Sequence, residues 1–257
     1  MNSPFSLKGK SAVITGGSRG IGGAVTRLLA AAGADVCIGY HSRTGDAEML
    51  AAQCRALGVR ATTHGSDVAT PYGADSLVER AVDEFGGLDI CVHSAGIWPV
   101  EEVPVSALSD ERWKRTMREN VDATFYVSRA AVRAMQAGKR AGRLVLVSST
   151  AGQRGESMHA DYGASKGAMI SFVKSLAVEV AGSGITVNSI APGWVDTEMC
   201  AEPFANGGKE RIAKGIPVGR VASADDIAFP IVALCFDGAR HVTGEILNVN
   251  GGSVLCG

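Results

Sequence analysis

Seven short apolar runs recur along this chain, and the feature that most constrains its fold is that they do not alternate. They are SAVITGG (11–17), DVCIGY (35–40), RATTHGSDV (60–68), LDICVHSAG (88–96), RLVLVSS (143–149), ITVNSIAPG (185–193) and EILNVNGG (245–252), separated by longer Ala-rich stretches of helical composition. A strand with one wet face alternates apolar and polar residues. Cores such as AVI and LVLV instead suit strands covered by helices on both sides, as in a parallel sheet. Strand and helix candidates follow one another without a change of composition from residue 11 to residue 252. The simplest arrangement is a doubly wound α/β unit, a seven-stranded parallel sheet with helices on both faces. No linker or internal repeat interrupts it, so residues 1–257 are expected to form a single domain, and 46% hydrophobic residues are ample for its core.

The first run feeds into TGGSRGIGGAVTRLLAAAG (15–33), where Gly16, Gly20 and Gly22 stand at GxxxGxG spacing where strand becomes helix. Gly16 can take the positive φ of the turn, Gly20 lets backbone N–H groups approach a pyrophosphate, and Gly22 allows tight helix packing. The helix N-terminus then presents unpaired N–H groups to the phosphates. Glycines alone would fit any tight βα turn; their place after the first strand is what points to a dinucleotide.

At the end of the second strand a ribose 2′-hydroxyl is usually gripped by an acidic residue about 20 residues past the glycines. Here that place holds Tyr40, His41, Ser42 and Arg43. A carboxylate would repel a 2′-phosphate, and Arg19 and Arg43 supply positive charge that can hold one through paired hydrogen bonds. NADP(H) is therefore expected over NAD(H). Asp67, after the third run, is a candidate acceptor for an adenine amino group or an N-cap for the next helix.

DYGASK (161–166) sets Tyr162 and Lys166 one helical turn apart at the head of the apolar run GAMISFVKSLAVEVA (167–181). A free phenol, with a pKa near ~10, transfers protons poorly at neutral pH. A nearby ammonium stabilises the phenolate and makes it more acidic. Together with TGGSRGIG, HSAG, ENVDATF, VSSTAG, NSIAPGWVDT and GEILNVNGG, this segment resembles the short-chain dehydrogenase/reductase family over essentially the whole chain. The most specific element is the glycine motif combined with Tyr-x-x-x-Lys and a strand ending in Ser149, 13 residues before Tyr162.

The resemblance implies a Rossmann-type fold and a catalytic tetrad of Asn120, Ser149, Tyr162 and Lys166. In the family's mechanism Tyr162 exchanges a proton with the substrate oxygen while the nicotinamide exchanges a hydride with its carbon. Lys166 holds the nicotinamide ribose and, together with the positive ring of the oxidised nicotinamide, makes the phenol more acidic; Ser149 orients the substrate oxygen and Asn120 positions a water. The resemblance also assigns to the cofactor Gly16, Ser18, Arg19, Gly20, Ile21, Gly22, Tyr40, His41, Ser42, Arg43, Asp67, Val68, Ser94, Ala95, Gly96, Tyr162, Lys166, Pro192, Gly193, Val195 and Thr197. Substrate contacts are expected from Ser149, Gln153, Met158, His159, Trp98 and Trp194, with Phe204 beside them, and a lid over the substrate around 194–217. Residues 198–216 show no strand pattern, as such a lid requires.

Two features depart from the family. His93-Ser94-Ala95-Gly96 replaces the usual Asn-Asn-Ala-Gly after the fourth strand. The chain also resembles 3-oxoacyl-acyl-carrier-protein reductases, which use basic residues near the active-site mouth to dock an acidic carrier. Arg140 occupies one such place, but the other is Ser183. Within 167–181, polar Ser171, Ser175 and Glu179 form one narrow stripe with Lys174 beside it. So apolar a helix is expected to be covered on two sides, by its own sheet and by a second subunit in a homodimer or homotetramer.

With 25 basic and 26 acidic residues and no charge block, nucleic acid and membrane surfaces are not expected partners. The six cysteines are scattered without metal-ligand or disulfide spacing, and no run approaches the ~18 apolar residues of a membrane span. A cytoplasmic NADP(H)-dependent reductase of ketones, most simply of 3-oxoacyl thioesters, is the expectation. A sugar, polyol or cyclic-ketone dehydrogenase and a non-catalytic NADP sensor are the alternatives.

Overall fold

The computed structural model describes residues 5–255. In chain order the elements are β1 (Ser11–Thr15), α1 (Gly20–Ala31), β2 (Asp35–Tyr40), α2 (Thr44–Ala56), β3 (Ala61–Gly65), α3 (Pro71–Phe85), β4 (Ile90–His93), α4 (Asp110–Met117), α5 (Ala123–Ala137), β5 (Arg143–Val147), α6 (Thr150–Arg154), α7 (Ala160–Val180), β6 (Thr186–Pro192), α8 (Ala201–Phe204), α9 (Gly208–Lys214), α10 (Ala224–Ala233) and β7 (Ile246–Val249). The strands form one seven-stranded sheet in the order β3-β2-β1-β4-β5-β6-β7, and every pairing is parallel.

The unalternating runs have the expected cause. Ala12, Ile14, Val36, Ile38, Ile90, Val92, Val145 and Val147 enter a core with α1, α2 and α10. Their neighbours Val13, Cys37, Cys91, Leu144 and Leu146 enter the opposite core with α3, α5 and α7. Successive side chains point to opposite faces, and both faces are dry, so the middles of these strands are apolar on both sides. The strands are shorter than the apolar runs at their carboxyl ends: β3 stops at Gly65 and β4 at His93. The residues beyond leave the sheet to form loops.

Those loops matter because the strand order reverses between β1 and β4, which opens a crevice at the carboxyl edge of the sheet. The glycine turn lies there. Gly16 has φ +60°, and a Cβ on Gly22 would stand 2.2 Å from the carbonyl oxygen of Gly16. Gly22 thus allows the first turn of α1 to close on the glycine turn itself. Across the crevice, a Cβ on Gly16 would meet Ala95 backbone atoms at 3.2 Å.

The helix carrying Tyr162 and Lys166 begins at Ala160, before the apolar run, so both side chains sit within its first two turns. Asp67 does not cap α3. Thr70 does, accepting from the Gly73 N–H at 3.1 Å, with Pro71 following. No described helix is long and apolar enough to cross a membrane.

Candidate active site

The crevice holds a cavity of about 140 Å³ lined by residues from the loops and helices at this edge, among them Ile21, Ser94, Gly96, Trp98, Ser149, Tyr162, Lys166, Pro192, Gly193, Trp194, Val195 and Thr197. Tyr162 and Lys166 are buried at its floor, and the Lys166 Nζ stands 5.8 Å from the Tyr162 ring centre. Ser149 ends the β5 run, caps α6 by accepting from the Ala151 N–H at 3.1 Å, and hydrogen-bonds the Tyr162 phenol. Lys166 donates to the Val147 carbonyl at 2.9 Å.

Electrostatically, the protein's own groups hold Tyr162 and Lys166 toward their neutral forms. Burial pushes the Tyr162 phenol up, the Ser149 hydrogen bond pulls it down, and the Glu156 carboxylate pushes it up again. Burial also lowers the Lys166 ammonium from 10.5 to about 8. Desolvation is the largest influence on both residues, because each favours its neutral form when removed from water.

Asn120 lies in a π-helical turn, Arg118–Asp122, where the helix widens by one residue. Its side chain accepts from Ile97 N at 2.8 Å and donates to Ile97 O and Ser165 Oγ, both at 3.0 Å. A Cβ on Gly96 would meet its Oδ1 at 2.9 Å and Lys166 Nζ at 3.6 Å. The four candidate tetrad residues therefore converge on one end of the sheet.

At the other side of the glycine turn, Arg19 and Arg43 both donate to the same oxygen, Oε2 of Glu198, Arg43 at 3.2 Å. Tyr40, at the end of β2, packs its ring where a Cβ on Gly65 would come within 3.0 Å, and His41 and Ser42 are exposed beside Arg43. Asp67 accepts from the Ala69 N–H at 3.0 Å and pairs with Arg118; Val68 packs against the α3–α5 core. The loop after β4 is fixed by Thr15, whose Oγ1 accepts from Ser94 N and Ala95 N at 3.1 Å each. That Oγ1 therefore donates to His93 Nδ1 at 2.9 Å, which ties β1 to β4 at their carboxyl ends. Burial lowers the His93 pKa to about 3, keeping the ring neutral.

The substrate candidates divide. Trp98 and Trp194 line the cavity edge to face, with centroids 5.8 Å apart, and Phe204 backs Trp194 at 5.8 Å. His159, Gln153 and Met158 do not line it. His159 is buried behind Trp98, stacked at 5.1 Å, and Gln153 donates to Asn248 Oδ1 at 2.6 Å. Met158, at φ +65°, is 39% exposed. Residues that sequence reasoning missed take their places: Arg154, Glu156, Met199 and Cys200. Glu156 Oε1 accepts from the Trp98 indole at 3.3 Å, and burial raises its carboxyl. An acidic residue in the otherwise small and polar loop before Tyr162 was the available signal. Two more missed residues brace the site: Arg112 and Thr116 donate to the buried Asp161, next to Tyr162, at 3.1 and 2.7 Å.

Residues 194–217 contain the turn Glu198–Cys200, α8 and α9. Arg140 is not at the cavity mouth of this chain. It precedes β5, at the amino edge of the sheet, where it donates to Asp89 at 2.8 Å and to the Gly86 carbonyl at 3.0 Å. Ser183 is at the same edge, before β6.

A family profile described as Enoyl-(Acyl carrier protein) reductase matches residues 16–253. The 3-oxoacyl-acyl-carrier-protein reductase FabG of Escherichia coli (strain K12) is 38% identical over 251 residues, covering 98% of this chain and 100% of that protein. An L-rhamnose 1-dehydrogenase (NAD(P)(+)) of Sphingomonas sp. (strain SKA58) is 36% identical and covers 96% of each chain. Among solved structures, a short-chain dehydrogenase/reductase of glucose/ribitol dehydrogenase type from Brucella melitensis superposes with a TM-score of 0.89 at 33% identity, covering 98% of this chain and 99% of the other.

Proposed function

This chain belongs to the short-chain dehydrogenase/reductase family, and on that premise we propose that it is an NADP(H)-dependent ketone reductase, reversible as a secondary-alcohol dehydrogenase, with 3-oxoacyl thioesters as its substrate class. The observation that carries the reading is the meeting of Ser149, Tyr162 and Lys166 in one cavity beside the glycine turn. Membership in the family implies a nicotinamide cofactor, and the residues fit one. Gly16 at positive φ and Gly22, where a Cβ would clash with the Gly16 carbonyl, keep the turn tight at the N-terminus of α1, and two arginines already share one anionic oxygen.

When bound, the nicotinamide supplies or accepts the hydride. The glycine turn, Ser18 and Ile21 would hold the pyrophosphate at the α1 N-terminus, and Arg19, Arg43 and Ser42 the 2′-phosphate. Asp67 and Val68 would flank the adenine, with Ser94–Gly96, Pro192, Gly193, Val195 and Thr197 on the nicotinamide side. Ser149 donates to the substrate oxygen and orients it, and Tyr162 gives that oxygen its proton in reduction and recovers it in oxidation. Lys166 grips the ribose and, through a water positioned at Asn120, refills Tyr162 with protons. Such proton transfer contributes typically ~10²–10⁴-fold.

A second reading, a sugar or polyol dehydrogenase, is favoured by Glu156, a carboxylate that lines the reaction cavity and accepts from the Trp98 indole. The E. coli relative supports the thioester reading and the Sphingomonas relative the sugar reading. Carrier-protein docking finds no support from Arg140, whose guanidinium is engaged by Asp89. A cytoplasmic setting fits the five described cysteines, all free. Residues 194–217 would act as the lid. The outer face of α7, with Ala164, Ala168, Ser171 and Ser175 exposed and Val178 82% exposed, would pack on a second copy.

The test is NADPH oxidation against 3-oxoacyl thioesters, sugars and cyclic ketones. Turnover abolished by Tyr162→Phe with NADPH binding retained supports the enzyme. Binding of NADPH without turnover of any carbonyl would leave a nucleotide sensor.

A further inference from the structure

Glu198 bridges the two sides of the site. Its Oε2 takes hydrogen bonds from both Arg19, in the glycine turn, and Arg43, beyond β2. It opens the helical turn Glu198–Cys200 of the lid segment, and the next two residues, Met199 and Cys200, line the reaction cavity. Just before it, the Thr197 methyl lies 3.5 Å from the position of a Cβ on Gly20. A lid carboxylate thus sits where two guanidiniums converge, the geometry an anionic phosphate oxygen would use.

We propose that Glu198 is a cofactor-specificity residue, an internal occupant of the 2′-phosphate position that NADP(H) must displace and NAD(H) need not. This rests on the NADP(H) reading above. A 2′-phosphate carries more charge than a carboxylate and more acceptor oxygens, so it wins both arginines. Its binding nonetheless breaks two existing ion pairs and sets a free carboxylate beside the incoming anion. NAD(H), with a neutral 2′-hydroxyl, leaves Glu198 on its arginines with their charge neutralised. Because Glu198 leads directly into Met199 and Cys200, the lid turn is released only by the phosphorylated cofactor, and by linkage the substrate cavity and the phosphate site influence one another.

The test is direct titration of wild type, Glu198→Gln and Arg43→Ala with NADPH and with NADH at low salt, read by reduced-nicotinamide fluorescence. Glu198 is 61% exposed, so the variant folds normally. Exposed pairs of this kind shift affinity modestly, so Glu198→Gln should bind NADPH about three- to tenfold tighter while its NADH affinity changes by less than about twofold. Unchanged or weaker NADPH binding, or equal tightening for both cofactors, overturns the proposal. Arg43→Ala separates the premises. Weaker NADPH binding in that variant beside a silent Glu198→Gln removes only the role of Glu198. Unchanged NADPH binding in Arg43→Ala removes the phosphate site, and this proposal with it.

Discussion

Lys166 holds its ammonium nitrogen 5.8 Å from the centre of the Tyr162 ring, one turn along α7, while donating its hydrogen bond to Val147 rather than to the phenol. The pair shares a face of the helix, but burial governs both members. The phenol keeps its proton and the ammonium is ready to lose one. In the proposed reduction that is the useful resting state: Tyr162 is loaded, and Lys166 sits close to its own titration point.

From this follows a pH limb. Reductive kcat/KM should fall as pH rises through about 8, where Lys166 loses its proton. Lys166→Met should lower the rate and flatten that limb. Stability moves the other way. The unfolded lysine titrates near 10.5 and the folded one near 8, so between these values the unfolded chain holds more protons and folding gains as pH rises. Below pH 8 both forms are protonated and the burial penalty stands in full. Urea midpoints of wild type relative to Lys166→Met should therefore rise from pH 8 to 10.5; a constant difference would contradict the assignment.

Gly22→Ala should disable the cofactor loop. Its Cβ would stand 2.2 Å from the Gly16 carbonyl oxygen, and backbone rather than a flexible side chain would have to move. Overpacking of this kind costs about 1–3 kcal/mol. Thermal melts should show a lower Tm, and nicotinamide fluorescence should show NADPH binding weakened more than tenfold. Native-like binding would mean that the turn is not the pyrophosphate cradle.

Glu156→Gln distinguishes the substrate classes. If its carboxylate accepts a hydroxyl of a sugar or polyol, losing the charge should lower kcat/KM for that substrate by about tenfold or more, since hydrogen bonds to charged groups are worth ~1.5–3 kcal/mol. Turnover of 3-oxoacyl thioesters should be unchanged or improved. A uniform loss across both panels would reduce Glu156 to a brace for Trp98.

Ala168→Arg should break the proposed subunit contact. Its site on α7 is exposed, so the monomer accommodates the side chain, whereas a second copy packed on small residues does not. Sedimentation should show wild type as a multiple of 26.5 kDa and the variant as a single chain. A monomeric wild type at micromolar concentration would remove the contact altogether.

What the sequence determined by itself was the architecture; the candidate chemistry of Asn120, Ser149, Tyr162 and Lys166 came with the family resemblance. Unalternating strands require two dry faces, hence a parallel sheet between helix layers, and the β1–β4 reversal then brings Gly16, Ser149, Tyr162 and Lys166 to one edge. The apolar runs and the glycine and Tyr-x-x-x-Lys spacings are local in sequence and so can be read from it, whereas the strand order that brings them together belongs to the fold. The tertiary structure alone decided which side chains share the cavity. His159 turned behind Trp98, Gln153 toward Asn248, and Arg140 to the far edge of the sheet, while Glu156 and Cys200 came in. It also decided the charge balance. Arg19, Arg43 and Glu198 stand at three distant points of the chain yet meet at one oxygen, and Tyr162 is held neutral by burial that no neighbour in sequence reports. Desolvation and long-range ion pairing depend on what the whole fold packs around a group, and spacing along the chain carries no record of that.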